Sequence, residues 1–230
     1  MLRTIELYFL LFFTYSVLGW IMEVTKTLID KKKFVNRGFL IGPYCPIYGY
    51  GVILLTILLK KYQSDIPATF IFSILICGTL EYFTSYFMEK IFHARWWDYS
   101  RYKFNINGRI CLRTMIPFGL LGLFIMYVSN PFFFSIIEKI PRNILNIICI
   151  VLMLIFLADN IISFKIISNV NITSKKIKDN TEEITGEIAE EITEKVKAIL
   201  EKKSALHRRL VHAFPEMKMR IREKIKNKID

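Results

Sequence analysis

Long apolar stretches dominate the first 168 residues, and they limit the possible folds of this chain more than any other feature. Short charged connections separate them, whereas residues 169–230 are almost entirely polar. A bilayer core about 30 Å thick is crossed by a helix of about 20 apolar residues. We therefore predict an all-α integral membrane protein with about five transmembrane helices and a helical tail. The predicted spans are residues 6–28, 43–59, 67–91, 116–137 and 143–167.

The composition agrees with this division of the chain. Hydrophobic residues make up 53% of the sequence, yet the formal net charge is +12. The two values are compatible if apolar residues occupy the spans and basic residues occupy the connections and the tail. We expect a multi-pass transmembrane domain at 1–168 and a charged, amphipathic tail at 169–230. No small-residue cleavage site follows the first apolar run, so we expect that run to remain as a helix.

The distribution of Lys and Arg predicts which side of the membrane each connection faces. The connections after the first and third spans carry nine Lys or Arg, against five in the N-terminus and the other two connections. Cytoplasmic connections are enriched in basic residues. We therefore predict a cell-membrane protein with its N-terminus outside and its tail in the cytoplasm.

The segment 34–51 is unusual for a membrane span because it contains four Gly and two Pro. These residues are unfavourable in a regular helix. Broken backbone at membrane depth is tolerated where it is buried in protein or lines a cavity. Two interpretations stay open, a kinked helix entrance packed through small residues and a segment that lines a ligand site. Residues 36–51 and 104–115 are both candidates for re-entrant loops.

Ionisable residues within apolar spans are costly, so they indicate a function or a specific pairing. Three acidic residues lie within the predicted spans, and three arginines approach them from the same side. They are Glu23, Glu81 and Asp159, and Arg37, Arg95 and Arg109. A buried carboxylate must pair, bind an ion or stay protonated. The set is consistent with acid–Arg pairs that hold helices together, or with a site for an ion, a proton or a lipid head group.

The connection after the third span is rich in aromatic residues as well as basic ones. Trp96 and Trp97 suit a membrane interface. Asn107-Gly108 predicts a tight turn, and Arg109 after it offers a planar fork for a phosphate or a carboxylate. This connection therefore contributes further candidates for a polar site.

His93 and Asp98 suggest a base with its orienting group, although surface histidines without a catalytic role are more common. We assign no catalytic residue. The candidate ligand-binding residues are Glu23, Arg37, Glu81, Arg95, Asp98, Asn107, Arg109 and Asp159.

Several signatures of cofactor and metal chemistry are missing from the sequence. It has no P-loop GxxxxGK[ST], no GxSxG and no HExxH motif, which argues against a P-loop ATPase and against these hydrolase classes. The four cysteines are widely spaced and are interpreted as free thiols. We expect neither a cofactor nor a metal site, and any energy from ATP would come from a separate subunit.

The tail predicts an amphipathic helix, because apolar residues recur every fourth position at Ile184, Ile188, Ile192 and Val196. Basic residues dominate residues 202–228, and a basic stretch is attracted to anionic lipid. No aromatic platform supports nucleic-acid binding. A helical arm that contacts a partner or the chain itself is the other interpretation.

Several distinctive motifs occur within the first 128 residues. They are Leu18-Gly19-Trp20 with Glu23, the run 34–49, Leu80-Glu81-Tyr82, the run 95–100, and the run 107–112. Together they resemble the ABC-transporter type IV, permease-like family of bacterial integral membrane proteins. The tail residues Ala213-Phe214-Pro215 resemble a further short element of that family. The resemblance implies a multi-pass membrane fold and a role in transport, and it assigns no role to an individual residue.

Three functions are compatible with these features. The first is a small permease-like or accessory transport subunit with a polar site near the inner leaflet. The second is a membrane scaffold or regulator that acts through its tail, and the third is an enzyme acting on lipid head groups. Five spans are few for a complete transport pathway, so we expect a separate ATPase, another membrane subunit or a second copy of the chain as partner, besides membrane lipids.

Overall fold

The computed structural model describes residues 2–179, 186–215 and 217–219. This part of the chain is largely helical, and it confirms the all-α membrane fold predicted from the sequence. The helices are α1 (Leu2–Lys31), α2 (Pro46–Leu58), α3 (Ile66–Phe92), α4 (Leu112–Phe124), α5 (Asn130–Ile137), α6 (Arg142–Asp179), α7 (Gly186–Lys203) and α8 (Ala205–Ala213). A 3₁₀ turn covers Lys60–Tyr62, and a π-helical turn covers Ile125–Ser129.

The described residues also form four very short strands, which pair as two antiparallel ladders. Strand β1 (Ala94–Arg95) pairs with β4 (Lys218–Met219), so the tail adds a strand to the connection after α3. Strand β2 (Asn105–Ile106) pairs with β3 (Ile110–Cys111) as a hairpin within that connection.

Four helical segments of the described chain are long and apolar enough to cross a membrane. They are Leu2–Lys31, Ile66–Phe92, Leu112–Ile137 and Arg142–Ser168. The third of them continues past Pro131, which lies directly after the junction of the π-helical turn Ile125–Ser129 with α5. The wider π-helical turn before it keeps α4 and α5 in one span.

The helix in the segment 43–59 is shorter than the span predicted there. Helix α2 has 13 residues, which is about 20 Å of helix. It begins at the middle of α1, where the Cys45 backbone N–H donates to the Ser16 carbonyl. It then runs to the end of the bundle where Leu55 and Leu59 pack with Leu11. The chain before α2 therefore descends without helical structure to half the depth of α1.

Glycine allows α1 and α2 to pack this closely. A Cβ atom added at Gly49 would lie 2.4 Å from the Ser16 Oγ and 2.5 Å from atoms of Phe12. Any larger residue would push the two helices apart, because packed interiors leave no free space of that size. The packing interpretation of the Gly-rich segment thus accounts for this glycine.

The connections group at two opposite ends of the bundle. At one end the Arg3 guanidinium donates to the Glu138 carbonyl, and the Tyr127 hydroxyl donates to the Gln63 carbonyl. At the other end lie the segments 32–45 and 93–111 together with α7 and α8. We call this second end the basic end. Successive connections along the chain therefore lie at alternating ends of the bundle.

The helical tail folds back onto the basic end. Apolar residues of α7 and α8 join a buried cluster with residues of α3, α6 and the connection after α3. The cluster includes Phe92, Ala94, Trp96, Ile166, Ile167, Ile192, Val196, Leu200, Leu210, Val211, Met217 and Met219. The apolar stripe predicted for the tail is thus covered by the chain itself at Ile192 and Val196. Ile184, the side chain of Ile188 and residues 220–230 lie outside the described residues.

Candidate functional site

A cavity of about 600 Å³ extends from the basic end into the bundle, as far as Leu55 and Ser129. This volume lies within the range of about 300–1,000 Å³ that is usual for small-molecule sites. The cavity exists because α2 starts halfway along α1, and the segment 32–45 covers the space above it. Three of the candidate residues line it, namely Glu23, Arg37 and Glu81.

Glu23 of α1 has two partners at the wall of the cavity. The Tyr48 hydroxyl donates to the Glu23 Oε1 at 2.7 Å, and the Arg37 Nε lies 3.6 Å from the Glu23 Oε2. The Arg37 guanidinium also donates to the carbonyl of Ala213 in α8. Glu23 and Arg37 therefore form an ion pair that joins α1, the segment before α2 and the tail.

Glu81 of α3 is less completely paired than Glu23. The Tyr99 hydroxyl donates to the Glu81 Oε1 at 3.3 Å, which is long for a bond between a hydroxyl and a carboxylate. The Glu81 Oε2 is buried and has no hydrogen-bond partner. Burial, followed by the neighbouring Glu81 carboxylate, raises the pKa of Tyr99 above its usual range, so the phenol stays a neutral donor. An unpartnered buried carboxylate oxygen is costly.

The remaining walls of the cavity are mostly apolar or aromatic. Four lining side chains keep large exposed fractions. They are Leu18 at 40%, Met22 at 45%, Tyr50 at 52% and Phe124 at 55%. The cavity is therefore only partly closed by the surrounding helices. Its chemistry suits an amphipathic molecule more than a fully polar one.

Arg95 and Arg109 lie in a second cluster, centred on Glu89 of α3. The Glu89 Oε2 is 3.0 Å from the Arg95 Nε and 2.9 Å from an Arg109 terminal nitrogen. Arg109 also donates to the Ser85 hydroxyl at 3.1 Å. The Glu89 and Arg109 side chains are each 8% exposed. The cluster is thus a buried ion-paired network that fixes the hairpin β2–β3 to α3.

Asp98 connects this network to the tail and lies outside the cavity lining. The Asp98 Oδ1 is 3.7 Å from Arg95 and the Asp98 Oδ2 is 3.1 Å from the Lys218 Nζ. Burial opposes ionisation of Asp98, but hydrogen bonds from Ser100 and Lys218 outweigh it and lower its pKa to about 2. No hydrogen bond joins Asp98 to His93 among the described residues, and His93 is exposed at the end of α3.

Asn107 forms the tight turn that the sequence predicts. Asn107 and Gly108 have φ angles of 53° and 66°, the left-handed pair that Asn-Gly favours in hairpins. The exposed Asn107 side chain donates to the Tyr82 hydroxyl at 2.9 Å. A Cβ atom at Gly108 would lie 2.3 Å from the Ser100 Oγ. Asn107 therefore shapes the hairpin and does not line the cavity.

Asp159 of α6 anchors the segment before α2. It accepts from the Ile41 and Gly42 backbone N–H groups at 2.9 and 2.7 Å. The Tyr44 hydroxyl donates to it at 2.6 Å and the Ser163 hydroxyl at 2.9 Å. Four donors satisfy both carboxylate oxygens, so this buried acid holds broken backbone at membrane depth.

The sequence reasoning missed Glu89, Tyr48 and Tyr99 as parts of these networks. Glu81, Ser85 and Glu89 follow one another at intervals of four, which places them on one face of a helix. That spacing could have identified Glu89. Tyr48 and Tyr99 carry no such signal, because their partners are set by the paths of two irregular segments. No cluster of metal-ligating side chains occurs in the part of the chain that the structure describes.

The cavity, its buried acids and the broken segment before α2 all fall within one family match. Residues 10–164 match the model of the family described as "Putative ABC-transporter type IV". The chain belongs to this family. No curated protein and no solved structure matches it significantly. The matched range takes in most of α1, all of α2 to α5 and most of the apolar part of α6, and therefore every cavity-lining residue except Phe214. A membrane protein related to transport is the function that this membership supports.

Proposed function

We propose that this chain is a permease-like or accessory transport subunit that binds its ligand in the cavity near the inner leaflet. The observation that carries the proposal is a 600 Å³ cavity inside a membrane-type bundle. It combines mostly apolar walls with the ionisable residues Glu23, Arg37 and Glu81 at one end. Membership of an ABC-transporter family supports a role in transport.

The orientation in the membrane follows from the two ends of the bundle. The basic end carries the connection with Lys31, Lys32 and Lys33 and the arginine-rich connection after α3. On the positive-inside rule it faces the cytoplasm, with the N-terminus on the opposite side. In this proposal residues 1–168 form the transmembrane domain and 169–230 a cytoplasmic tail that packs beneath it.

Energy for transport has to come from another chain in this proposal. The sequence has no P-loop for ATP, so a separate ATPase subunit would supply the hydrolysis step. The tail and the connection after α3 offer it a folded cytoplasmic surface, held together by the ladder β1–β4. The scaffold alternative has less support, because the apolar stripe of α7 is covered by its own chain.

Gly51 provides a direct test of the cavity. It lines the cavity, and a Cβ atom added there would meet a single neighbour, Leu80, at an ordinary contact distance of 3.6 Å. Gly51→Leu should therefore fill cavity space without displacing backbone. The experiment compares wild type, Gly51→Ala, Gly51→Leu and the distant control Glu138→Gln, each purified from its native membrane. Mass spectrometry then measures the retained small molecules, lipids and proteins.

The proposal predicts a retained small molecule or lipid, at one copy per chain, in wild type and Glu138→Gln. Retention should fall at least about 10-fold in Gly51→Leu, because the ligand no longer fits, and less in Gly51→Ala. A co-purifying ATPase present in all four proteins would agree with a transport subunit. Equal retention in wild type and Gly51→Leu, with no ATPase or transport subunit in any sample, would contradict the proposal.

A further inference from the structure

The cavity has an uneven distribution of charge, and this distribution points to the class of ligand. Resting on the proposed function, we propose that the ligand is an amphiphile with a positively charged nitrogen that binds at Glu81. The argument has three parts: the unmatched acid, the aromatic walls and the apolar opening toward lipid.

The first part concerns the balance of charge at the polar end. Of the described residues that line the cavity, Arg37 is the one basic side chain, and Glu23 and Glu81 are the two acids. Arg37 lies 3.6 Å from Glu23, so these two charges offset each other. Glu81 then remains with one long hydrogen bond from Tyr99 and a buried Oε2 without a partner. A cationic nitrogen supplies both the charge and the donor that this oxygen lacks.

The second part concerns the aromatic side chains of the cavity. Two Trp and several Tyr and Phe residues line it, including Tyr48, Trp96, Trp97, Tyr99 and Phe214. The faces of aromatic rings attract cations, Trp most strongly, and aromatic cages are a common means of binding ammonium groups. A carboxylate in a cavity lined by such rings therefore favours an ammonium over a neutral head group of the same size.

The third part concerns the rest of the ligand. Beyond the polar end the walls are apolar, as at Leu55, Leu80, Phe118 and Leu121. The cavity opens between helices at surfaces that lipid would contact, where Met22 and Phe124 are 45% and 55% exposed. An alkyl chain would occupy this region without leaving polar groups unpaired. An aminolipid and a free amphiphilic amine share this chemistry.

The test uses three twelve-carbon probes that differ in head group alone, namely dodecylamine, dodecanol and dodecanoate. Binding to the purified full-length chain in a non-ionic detergent at pH 7.5 is measured by native mass spectrometry. Wild type, Glu81→Gln, the charge-conserving Glu81→Asp, Gly51→Leu and the control Glu138→Gln are compared. Lipids retained from the membrane are identified in the same samples.

We expect wild type and Glu138→Gln to bind dodecylamine at least about 10-fold more tightly than dodecanol, as a charge-assisted contact implies. Glu81→Gln should lose this preference and Glu81→Asp should keep most of it. A native aminolipid retained by wild type and lost in Glu81→Gln would identify a lipid as the source. Selective binding of dodecylamine without any retained aminolipid would identify a free amphiphilic amine.

Other outcomes separate this inference from the proposed function. Equal binding of dodecylamine and dodecanol, blocked by Gly51→Leu, would overturn the cationic ligand and leave the ligand cavity intact. A preference for dodecanoate would also overturn it and would indicate that Arg37 binds the ligand. If no probe or native ligand binds wild type better than Gly51→Leu, both the inference and the proposed function fail. The three-probe comparison on wild type stays decisive even if Glu81→Gln does not fold.

Discussion

The Arg37 guanidinium donates a hydrogen bond to the carbonyl of Ala213, which lies 176 positions later in the chain. The same guanidinium lies 5.6 Å from the centre of the Phe214 ring and forms the ion pair with Glu23. One side chain thus connects the cavity to the end of α8. The position of the tail and the electrostatics of the cavity are therefore coupled through Arg37.

Substitution of Arg37 should loosen the tail. Arg37→Ala removes a charge-assisted hydrogen bond, worth about 1.5–3 kcal/mol, and the contact with Phe214. Hydrogen exchange of the α8 backbone should become at least about 10-fold faster, because local opening costs less free energy. The exposed Arg101 at the same end gives the control variant Arg101→Ala, which should exchange like wild type. Unchanged exchange in Arg37→Ala would show that α8 docks without Arg37.

Asp159 should be essential for the segment before α2. Asp159→Asn keeps the shape of the side chain but replaces a carboxylate that accepts from two backbone N–H groups and two hydroxyls. The amide nitrogen cannot accept, so at least one donor loses its partner, at a cost of about 1–3 kcal/mol. We expect a lower thermal unfolding midpoint and faster hydrogen exchange at residues 41–44.

The control for this prediction is Asp30→Asn, at the exposed end of α1. It changes the same charge without a buried network, so its unfolding midpoint should match that of wild type. If Asp159→Asn had the same unfolding midpoint as Asp30→Asn, the segment before α2 would be held by the packing of Leu40 and Tyr44 alone.

Glu89 should be the most sensitive residue of the buried network. Glu89→Gln leaves the Arg95 and Arg109 guanidiniums facing a neutral amide, and removal of one partner of a buried ion pair costs about 3–5 kcal/mol. We expect a large drop in the unfolding midpoint in detergent. Adding Arg109→Gln to Glu89→Gln should cost little more, because the uncompensated charge disappears. Additive losses in this double-mutant cycle would rule out the coupling.

The sequence alone predicts the fold class and indicates which acidic residues lie within apolar spans, because both features can be recognised without knowledge of tertiary contacts. Glu23 and Glu81 line the cavity, and Asp159 anchors the segment before α2. Their partners were not predictable. Asp159 and Ile41 are 118 positions apart, and no local pattern relates them.

Helix lengths show a second limit of the sequence. The apolar run at 43–59 predicts a full transmembrane span, but helix α2 begins only at Pro46. The residues before it lie in irregular structure that Asp159 anchors. Likewise, the recurrence of Ile192, Val196 and Leu200 at every fourth position predicts an amphipathic helix, but it does not reveal which residues cover its apolar face. That surface is set by tertiary packing against Phe92 and Ile167.

The docking of α8 should weaken as the pH falls below neutral. Burial, followed by the charge of Lys203, lowers the pKa of His207 below its usual value, and its Nε2 is buried without a partner. The unfolded tail therefore binds a proton more readily than the docked one. The stability that neutral His207 supplies is present above the usual pKa of about 6.5 and is lost as the pH falls toward the lower folded value.

Hydrogen exchange of α8, corrected for its intrinsic pH dependence, should accelerate between pH 7.5 and pH 5.5. His207→Leu should remove this acceleration, and the exposed His212 gives the control His212→Gln, which should keep it. If His207→Leu responds to pH as wild type does, another group controls the docking of the tail.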